Sequence, residues 1–369
     1  MKNYLEKNTR LFLVLLFFYA LAVPASGQQM TVGERITDGE VPSAQAQWKT
    51  RYADIPRVDV HTHVSDPADV ANFLKLRDRL SENNGADLAA WITMDSRQGP
   101  IDSPAEMFKS SGGRMLSAFA DYEPHRGIHH TLKDFEKKKE QGFIGYKLWF
   151  GPYYRVLADG EEGIEHIDHP AFKDVLSAAA KTHTPLLSLH IGDPNGPYGN
   201  RLKYIADPVF FWRSVRAAEN VIAQNPDVTI IVAHMVFLVS QDAQLDYLRY
   251  MLSSYPNMYV DMSATYQYFA LVNKDNLRDL MIEYSDRLLF GIDSGVMADD
   301  RIDYFADRYT SAMAILEDDT PVASPHFRNG AVQGLALPRE VLEKLYYKNA
   351  LKLYPRLKET MAAKGYAVE

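Results

Sequence analysis

RVDVHTH, residues 57–63, has the composition of a buried strand that ends in two histidines. Alternate residues of a strand project to the same side, so the imidazoles of His61 and His63 can converge on one point. A metal ion is a common reason for such convergence. Taken alone, a His-x-His pair is equally well explained by structural histidines that hydrogen-bond to backbone groups. The stretch therefore predicts a strand with a candidate metal pair at its carboxyl end.

Three further candidate ligands stand at the ends of later apolar runs. His190, His234 and Asp293 each close such a run, and each precedes a turn or loop. A recurrence of metal-binding residue types at run ends is not expected of histidines that serve only packing. The four positions together favour one metal site over isolated structural histidines.

Short apolar runs recur along the chain with helix-like segments between them, which is typical of a parallel sheet wrapped by helices. Asp66-Pro67, His169-Pro170 and Leu337-Pro338 each introduce apolar residues at helical spacing and predict helix starts. Eight strands with intervening helices predict a closed (β/α)8 TIM barrel of the α/β class, with a single catalytic domain. The eight apolar runs lie near residues 58–63, 88–94, 115–120, 144–149, 186–190, 230–234, 258–263 and 288–293.

The topology and the candidate ligands agree with each other. The active site of such a barrel lies at the carboxyl ends of the strands, and the candidate ligands end the first, fifth, sixth and eighth runs. The sequence therefore predicts one site at this end of the barrel. The long segment Ala298–Ala336 is predicted to be an excursion after the last strand and not a separate module.

Composition bounds the class of protein. A chain of 369 residues is normal for one α/β barrel with loop insertions, and a hydrophobic fraction of 46% supports a large core. The net charge of -8 gives no basic field for nucleic acid, so a small molecule is the expected partner. The absence of cysteine excludes disulfides, thiolate nucleophiles and cysteine-ligated zinc. Homo-oligomer formation stays open.

The amino terminus has the pattern of a secretory signal. Basic residues precede the apolar stretch Leu11–Val23, and small residues follow it before Gln28. We predict a signal peptide over residues 1–27, a polar tether over 28–50 and the catalytic domain over 51–369. The stretch is shorter than the roughly 20 residues of a membrane-spanning helix, although an uncleaved anchor remains the alternative. The expected product is exported, periplasmic or secreted, and not attached to a membrane after cleavage.

The candidate ligands define the chemistry. Histidine nitrogens with one carboxylate form a hard ligand set that suits zinc or a similar divalent ion and leaves a position for water or substrate. Such an ion activates water near neutral pH and polarises a carbonyl group. Asp293 can accept the proton of that water, and His234 can act as acid, base or oxyanion stabiliser.

The ordered motifs resemble the amidohydrolase superfamily, specifically its amidohydrolase-related (type 2) branch, from about Arg57 to Tyr354. They are Asp59-x-His61-x-His63, the later His190, His234 and Asp293, and the closing LPREVLxKxYxxNA at 337–350. The resemblance implies a metal-dependent barrel enzyme. It implies that the metal is bound by His61, His63, His190 and Asp293. It also implies that His234 is a catalytic acid or base if one metal is bound, or a ligand of the second metal if two are.

Two further residues are candidates for substrate binding. Lys147 ends the fourth run, where some superfamily members carry a carboxylated lysine that bridges two metals. The alternative is a lysine that reaches solvent or pairs with a substrate carboxylate. One zinc ion is favoured, and two are expected only if Lys147 is carboxylated. Arg155 follows an aromatic loop that suits a ring or a carboxylate, and ordinary loop packing explains it equally well.

The leading functional hypothesis is a metal-dependent hydrolase that attacks an ester, lactone or amide-like bond of a small molecule with metal-activated water. The alternative is a metal-dependent non-oxidative decarboxylase of an aromatic or unsaturated carboxylic acid, with His234 as proton donor. The predicted signal peptide favours the hydrolase. A third hypothesis is a barrel that binds a small ligand without turnover, and clustered ligand residues count against it. Asp261 and Ser263, at the end of the seventh run, are either substrate contacts or hydrogen-bonded residues of the barrel mouth.

Overall fold

The computed structural model describes most of the chain after residue 47. The described residues are 48–95, 99–121, 128–149, 164, 166–191, 208–295, 298–327 and 330–368. The signal peptide predicted for residues 1–27, the tether up to residue 47, and Arg155 lie outside them, so these stay predictions.

Eight parallel strands form one sheet in which every strand pairs with its neighbours in sequence order. Backbone hydrogen bonds nearly close this sheet into a barrel, because Val60 N donates to Phe290 O at 3.0 Å and His63 N donates to Ser294 O at 2.8 Å. The prediction of a (β/α)8 TIM barrel is confirmed. The strands are β1 Arg57–His63, β2 Leu88–Met94, β3 Met115–Asp121, β4 Tyr146–Trp149, β5 Leu186–His190, β6 Ile230–Val232, β7 Met258–Asp261 and β8 Leu288–Leu289.

A helix follows each of the eight strands. The Asp66 side chain accepts a hydrogen bond from Ala68 N, and Pro67 opens a short 3-10 turn that leads into the first helix. His169 and Pro170 open the fourth helix in the same way. The helices are α1 Val70–Asn84, α2 Pro104–Ser110, α3 Leu132–Glu140, α4 Lys173–Thr182, α5 Pro208–Gln224, α6 Asp242–Ser254, α7 Lys274–Glu283, α8 Ile302–Glu317, α9 Arg339–Glu343, α10 Asn349–Leu353 and α11 Pro355–Ala363.

Three strands end earlier than predicted, and one of them is β7, which ends at Asp261 instead of Ser263. The sequence predicted strands up to His234 and Asp293, but β6 ends at Val232 and β8 ends at Leu289. His234 has a φ of 59° and Asp293 a φ of 61°. A left-handed backbone cannot continue a strand ladder, so both residues belong to the turns that follow. The error concerns the strand bounds, and both side chains still lie at the carboxyl end of the barrel.

The segment Ala298–Ala336 continues the barrel. Its main element is α8, which packs against α1 and completes the outer ring of helices. A hairpin of β9 Pro321–Val322 and β10 Val332–Gln333 follows. Among the described residues, no helix combines the length and the apolar character that crossing a membrane requires.

Candidate metal centre

Three of the predicted ligands meet at the carboxyl end of the barrel. The Nε2 atoms of His61 and His63 are 3.2 Å apart. Oδ1 of Asp293 lies 3.2 Å from Nε2 of His63 and 3.6 Å from Nε2 of His61. Tetrahedral ligands at about 2.1 Å from an ion lie about 3.4 Å from one another. The spacing of these three donor atoms therefore fits a single divalent ion.

Hydrogen bonds on the far side of the His61 ring determine which nitrogen faces the site. Nδ1 of His61 lies 3.1 Å from Oδ2 of Asp261 and 2.8 Å from Oγ of Ser263. An ionised carboxylate only accepts, so Nδ1 carries the proton and Nε2 is the acceptor that faces Asp293. Burial alone raises the pKa of Asp261, but the nearby His61 outweighs burial and lowers it to about 2. Asp261 is thus a hydrogen-bonded residue of the barrel mouth, the second of its two interpretations.

A second buried carboxylate supports the first strand. Oδ1 of Asp59 accepts a hydrogen bond from His61 N at 2.8 Å, and the Tyr309 hydroxyl from α8 donates to its other oxygen. Burial raises the pKa of Asp59 to about 7. Gly291 allows the chain after β8 to approach closely, because a Cβ there would lie 3.1 Å from the Cβ of His61. These contacts fix the first histidine against the segment that carries Asp293.

His234 lies beside the three donors in a left-handed turn that runs through Phe237. Its ring stacks on His61 with the ring centroids 5.0 Å apart. Nδ1 of His234 lies 2.8 Å from the carbonyl oxygen of Ser263, which can only accept, so the proton is on Nδ1. Nε2 of His234 lies 3.1 Å from Nδ1 of His190.

His190 borders the group of three donors and is not one of them. The described donor atoms that lie within 4.8 Å of one another on this side of His61 belong to His61, His63 and Asp293. The His190 ring contacts His234 and packs 5.6 Å from the Trp149 ring, centroid to centroid. The structure therefore brings three predicted ligands together and places the fourth next to them.

Lys147 is buried against the histidine pair. Its side chain projects from β4, and the residue is 1% exposed. Nζ lies 3.2 Å from Nε2 of His61 and 3.3 Å from Nε2 of His63. The ammonium group is therefore at the candidate metal centre and not in bulk solvent. A role in substrate binding stays a prediction for Lys147, as it does for Arg155.

The electrostatics of the group suit metal binding. Burial, together with the charge of Lys147, lowers the pKa of His63 to about 3. Burial also lowers the pKa of His234 to about 4 and that of His190 well below its usual value. For Asp293, burial is outweighed by the neighbouring histidines, and its pKa is well below the usual value. At neutral pH these imidazoles are neutral and the carboxylate is ionised, which are the states that bind a cation.

A cavity of about 330 Å³ opens beside the candidate metal centre. His190, His234 and Asp293 form part of its wall. Tyr304, Arg308, His326 and Phe327 also line it, and the sequence analysis assigned none of them. A signal was present, since Tyr304 and Arg308 are four residues apart and therefore share one face of a helix after the last strand. Nothing in the sequence placed that face toward the site.

No curated protein matches the chain. One similar solved structure is an uncharacterized TIM-barrel protein from Bordetella bronchiseptica, with 13% identity over 82% of this chain and 99% of that chain and a TM-score of 0.47. Another is 5-carboxyvanillate decarboxylase from Novosphingobium aromaticivorans, complexed with manganese and 4-hydroxy-3-methoxy-5-nitrobenzoic acid. It has 12% identity over 85% of this chain and 99% of that chain, and a TM-score of 0.49. A third is Amidohydrolase 2 from Bifidobacterium longum subsp. infantis, with 15% identity over 82% of this chain and 99% of that chain and a TM-score of 0.42.

These structural similarities are too low to bear on activity or substrate. The sequence model of a family described as amidohydrolase, in contrast, matches residues 58–356. That range covers most of the chain, from the first strand to α11, and includes every residue of the candidate metal centre described above. The chain belongs to the amidohydrolase family.

Proposed function

We propose that the protein is a metal-dependent hydrolase that cleaves an ester, lactone or amide-like bond of a small molecule with water activated by the ion. One observation carries the proposal. Two histidine nitrogens and one carboxylate oxygen lie 3.2–3.6 Å apart next to a cavity that can hold a small molecule. Among side-chain clusters, this spacing of imidazole nitrogens around a carboxylate oxygen is typical of a site for a divalent cation.

Each residue has a role in this proposal. His61, His63 and Asp293 would hold the ion, with His190 beside them as the fourth ligand. When bound, a divalent ion, for which zinc is favoured, lowers the pKa of water at the site and polarises a carbonyl group. Asp261 keeps the proton of His61 on Nδ1, which leaves Nε2 directed at the ligand group.

Proton transfer is assigned to His234 and Asp293. The Ser263 carbonyl accepts from Nδ1 of His234, so Nε2 is the nitrogen at which this ring gains and loses protons. Asp293 accepts the proton of the attacking water, and Nε2 of His234, which is unprotonated at neutral pH, takes up that proton from Asp293 and delivers it to the leaving group. Both residues line the cavity, where a substrate carbonyl can approach them.

Metal removal tests the proposal directly. Protein purified without chelator is expected to contain about one equivalent of a divalent ion, and dialysis against a chelator should abolish hydrolysis of a panel of phenyl esters and lactones. Re-addition of zinc should restore it. If no ion is found, and chelation and re-addition change nothing, the proposal is wrong. Release of carbon dioxide from hydroxybenzoates, without incorporation of water, would instead support the alternative function, a metal-dependent decarboxylase.

His234→Asn separates catalysis from metal binding. The variant is expected to lose hydrolysis by about 10²–10⁴-fold, the usual contribution of a general acid or base. Its metal content should stay near that of the wild type, because His234 is not among the three convergent donors. Metal content is measured by elemental analysis of the same preparation. A loss of metal from H234N would assign this histidine to a second ion instead.

Export is also part of the proposal. The predicted signal peptide over residues 1–27 implies that the mature chain begins at Gln28. Sequencing the amino terminus of the protein recovered from the periplasm or medium tests this. A retained Met1 would point to the uncleaved anchor.

A further inference from the structure

The wall of the cavity opposite the metal centre is built by the segment after β8. Tyr304 and Arg308 project from one face of α8, and His326 and Phe327 return from the loop that follows β9. The Tyr304 and His326 rings are in edge contact, with their centroids 4.4 Å apart. This wall is ordered by contacts among its own members, and it faces the same space as His234 and Asp293.

Among the described residues, the guanidinium of Arg308 has one hydrogen-bond partner, since Nη2 donates to the carbonyl oxygen of Ile292 at 2.9 Å. Ile292 directly precedes Asp293, so the bond places Arg308 close to the metal centre. The Arg308 guanidinium carbon also lies 5.9 Å from the centroid of the Tyr304 ring. Within the described part of the chain, no carboxylate lies within 4.0 Å of Arg308. A guanidinium held in this way keeps further N–H donors for a planar anion.

His326 adds a polar group to the same wall. Its Nε2 is buried, and among the described residues it has no hydrogen-bond partner. Burial, followed by the charges of Arg308 and Arg301, lowers the pKa of His326 to about 4. The ring is therefore neutral at pH 7 and offers one nitrogen to a ligand in the cavity. A buried polar atom without a partner is uncommon in folded proteins and is explained by a ligand that supplies one.

Aromatic side chains also line the cavity, namely Phe237, Tyr266 and Tyr268, beside Ala264, Gln267 and Ile292. Among the described lining residues, the ionised groups are the Asp293 carboxylate and the Arg308 guanidinium. A divalent ion on the Asp293 side gives the cavity an excess of positive charge, which favours a substrate that carries a negative charge of its own.

We propose that Arg308, together with His326, binds a carboxylate of the substrate, so that the substrate is a small, ring-containing ester, lactone or amide with a carboxylate away from the reacting bond. The assignment of a reacting bond rests on the proposed hydrolase function. The carboxylate site itself does not, because Arg308 and His326 lie outside the metal ligands. Arg308 is then a specificity-determining residue.

Three substitutions test the proposal, two of them at Arg308 of α8 and one at Arg301, which directly precedes that helix. Arg308→Met removes the guanidinium from the cavity and keeps an unbranched apolar side chain. Arg301→Met is the matched control, because Arg301 also stacks on Tyr304, 4.3 Å from its ring centroid, but is not part of the cavity wall. Arg308→Lys retains the charge without the planar fork. Thermal melting of the three variants establishes that each is folded before it is assayed.

Kinetics with a matched substrate pair provide the first readout. The zinc-loaded wild type is expected to hydrolyse 4-acetoxybenzoate with a kcat/KM about 10–100-fold above that for 4-acetoxybenzamide, the neutral analogue, mainly through KM. R308M should abolish this preference by raising KM for the benzoate ester only, and R308K should restore part of it. R301M should keep the full preference. Equal effects of R308M on both esters, or loss of the preference in R301M, would overturn the carboxylate site.

Binding provides a readout that does not depend on hydrolysis. Benzoate and benzamide are titrated calorimetrically into metal-free wild type and R308M. The expected result is wild-type binding of benzoate that weakens at least tenfold in R308M, with benzamide binding the same in both proteins. If the wild type does not prefer benzoate, or R308M binds it equally well, the carboxylate site is wrong. If neither ester is hydrolysed but benzoate binding depends on Arg308, the carboxylate site stands and hydrolysis of these esters fails.

Discussion

Each end of β1 contributes to a buried polar cluster, and the two clusters differ in how their polar atoms are paired. At the start of the strand, Arg57 and Glu317 form an ion pair with N and O 3.0 Å apart, and both side chains are at most 1% exposed. The Arg57 guanidinium also donates to Ile55 O and to Oγ1 of Thr50. The Glu317 carboxylate also accepts from the Tyr346 hydroxyl. Nearly every polar atom of this cluster has a partner within the fold.

At the other end of the same strand the groups converge instead of pairing. Nε2 of His61 lies within 3.6 Å of Nε2 of His63, Nζ of Lys147 and Oδ1 of Asp293. These four polar atoms are directed at one small volume, which a cation or a substrate can join. Burial alone therefore does not distinguish a structural polar cluster from a functional one, and the direction of the polar atoms does.

The backbone conformation also differs between the two ends of β1. At the carboxyl end of the barrel, His234, Ala264 and Asp293 have φ values between 57° and 61°. Such left-handed conformations cost about 1–3 kcal/mol each for residues other than glycine and cluster at functional sites. Around Arg57 no described residue within five positions has a positive φ. The carboxyl end thus gives up stability in exchange for side-chain placement, and the segment around Arg57 does not.

The largest expected effect comes from Asp293→Asn. The substitution preserves shape but removes the negative charge from the ligand group, so hydrolysis should fall by about 10²–10⁴-fold. Zinc should raise the melting temperature of the wild type and no longer raise that of the variant, because zinc binds the folded state of the wild type only. Asp299→Asn, an exposed aspartate on the same segment, is the control. Wild-type turnover by D293N would show that the convergence of Asp293 with the two histidines does not contribute to catalysis.

Arg57→Met tests the opposite end of β1. It leaves Glu317 buried without its ion-pair partner, which should destabilise the protein by about 3–5 kcal/mol, measured by urea unfolding. The specific activity of the folded variant should be unchanged, since six strand residues, about 20 Å, separate Arg57 from His63. The double variant R57M/E317M should recover much of the lost stability. A specific loss of activity in R57M would mean that the two clusters are coupled.

The sequence was sufficient for the fold and for most of the site. The bounds of β2 and β5 match the predicted runs, because both strands are short and mainly apolar segments. The ends of β6 and β8 were wrong because the left-handed backbone at His234 and Asp293 leaves no mark in residue type. Periodicity identifies which residues share a strand face, but not how a turn after the strand rotates a side chain.

Contacts between distant elements were the other missing information. Arg57 and Glu317 are separated by 260 residues, and neither stands in a recognisable motif. Arg308 likewise faces the site only because α8 packs against the first helix of the barrel. Asp261 was noticed at the end of the seventh run, but its bond to His61 depends on two strands that are not neighbours in the sheet. Such pairs follow from tertiary packing and not from local pattern.

Asp261→Asn should have a smaller effect than the loss of a ligand. Asparagine can still accept from Nδ1 of His61, but it lacks the charge that increases the basicity of Nε2. Loss of such a supporting group typically lowers metal affinity by about 10–100-fold. Competition with a chromogenic chelator measures the zinc affinity, and Asp286→Asn, on an exposed turn, is the control. An unchanged affinity would reduce Asp261 to a packing residue.

Lys147→Met should have the smallest effect if the site holds one ion. The ammonium lies within 3.3 Å of both histidine nitrogens and repels a cation placed there. Its removal should therefore strengthen zinc binding, by about tenfold at most, which corresponds to about 1.4 kcal/mol. Turnover should stay within about tenfold of the wild type. An increase in KM would indicate that Lys147 contacts the substrate. Lys147→Arg, which keeps the charge, should bind zinc no better than the wild type.

The same variant distinguishes one ion from two. If Lys147 is carboxylated and bridges two metals, K147M should lose one of two metal equivalents, and reconstitution of the wild type should require bicarbonate. Elemental analysis and reconstitution with and without bicarbonate separate the cases.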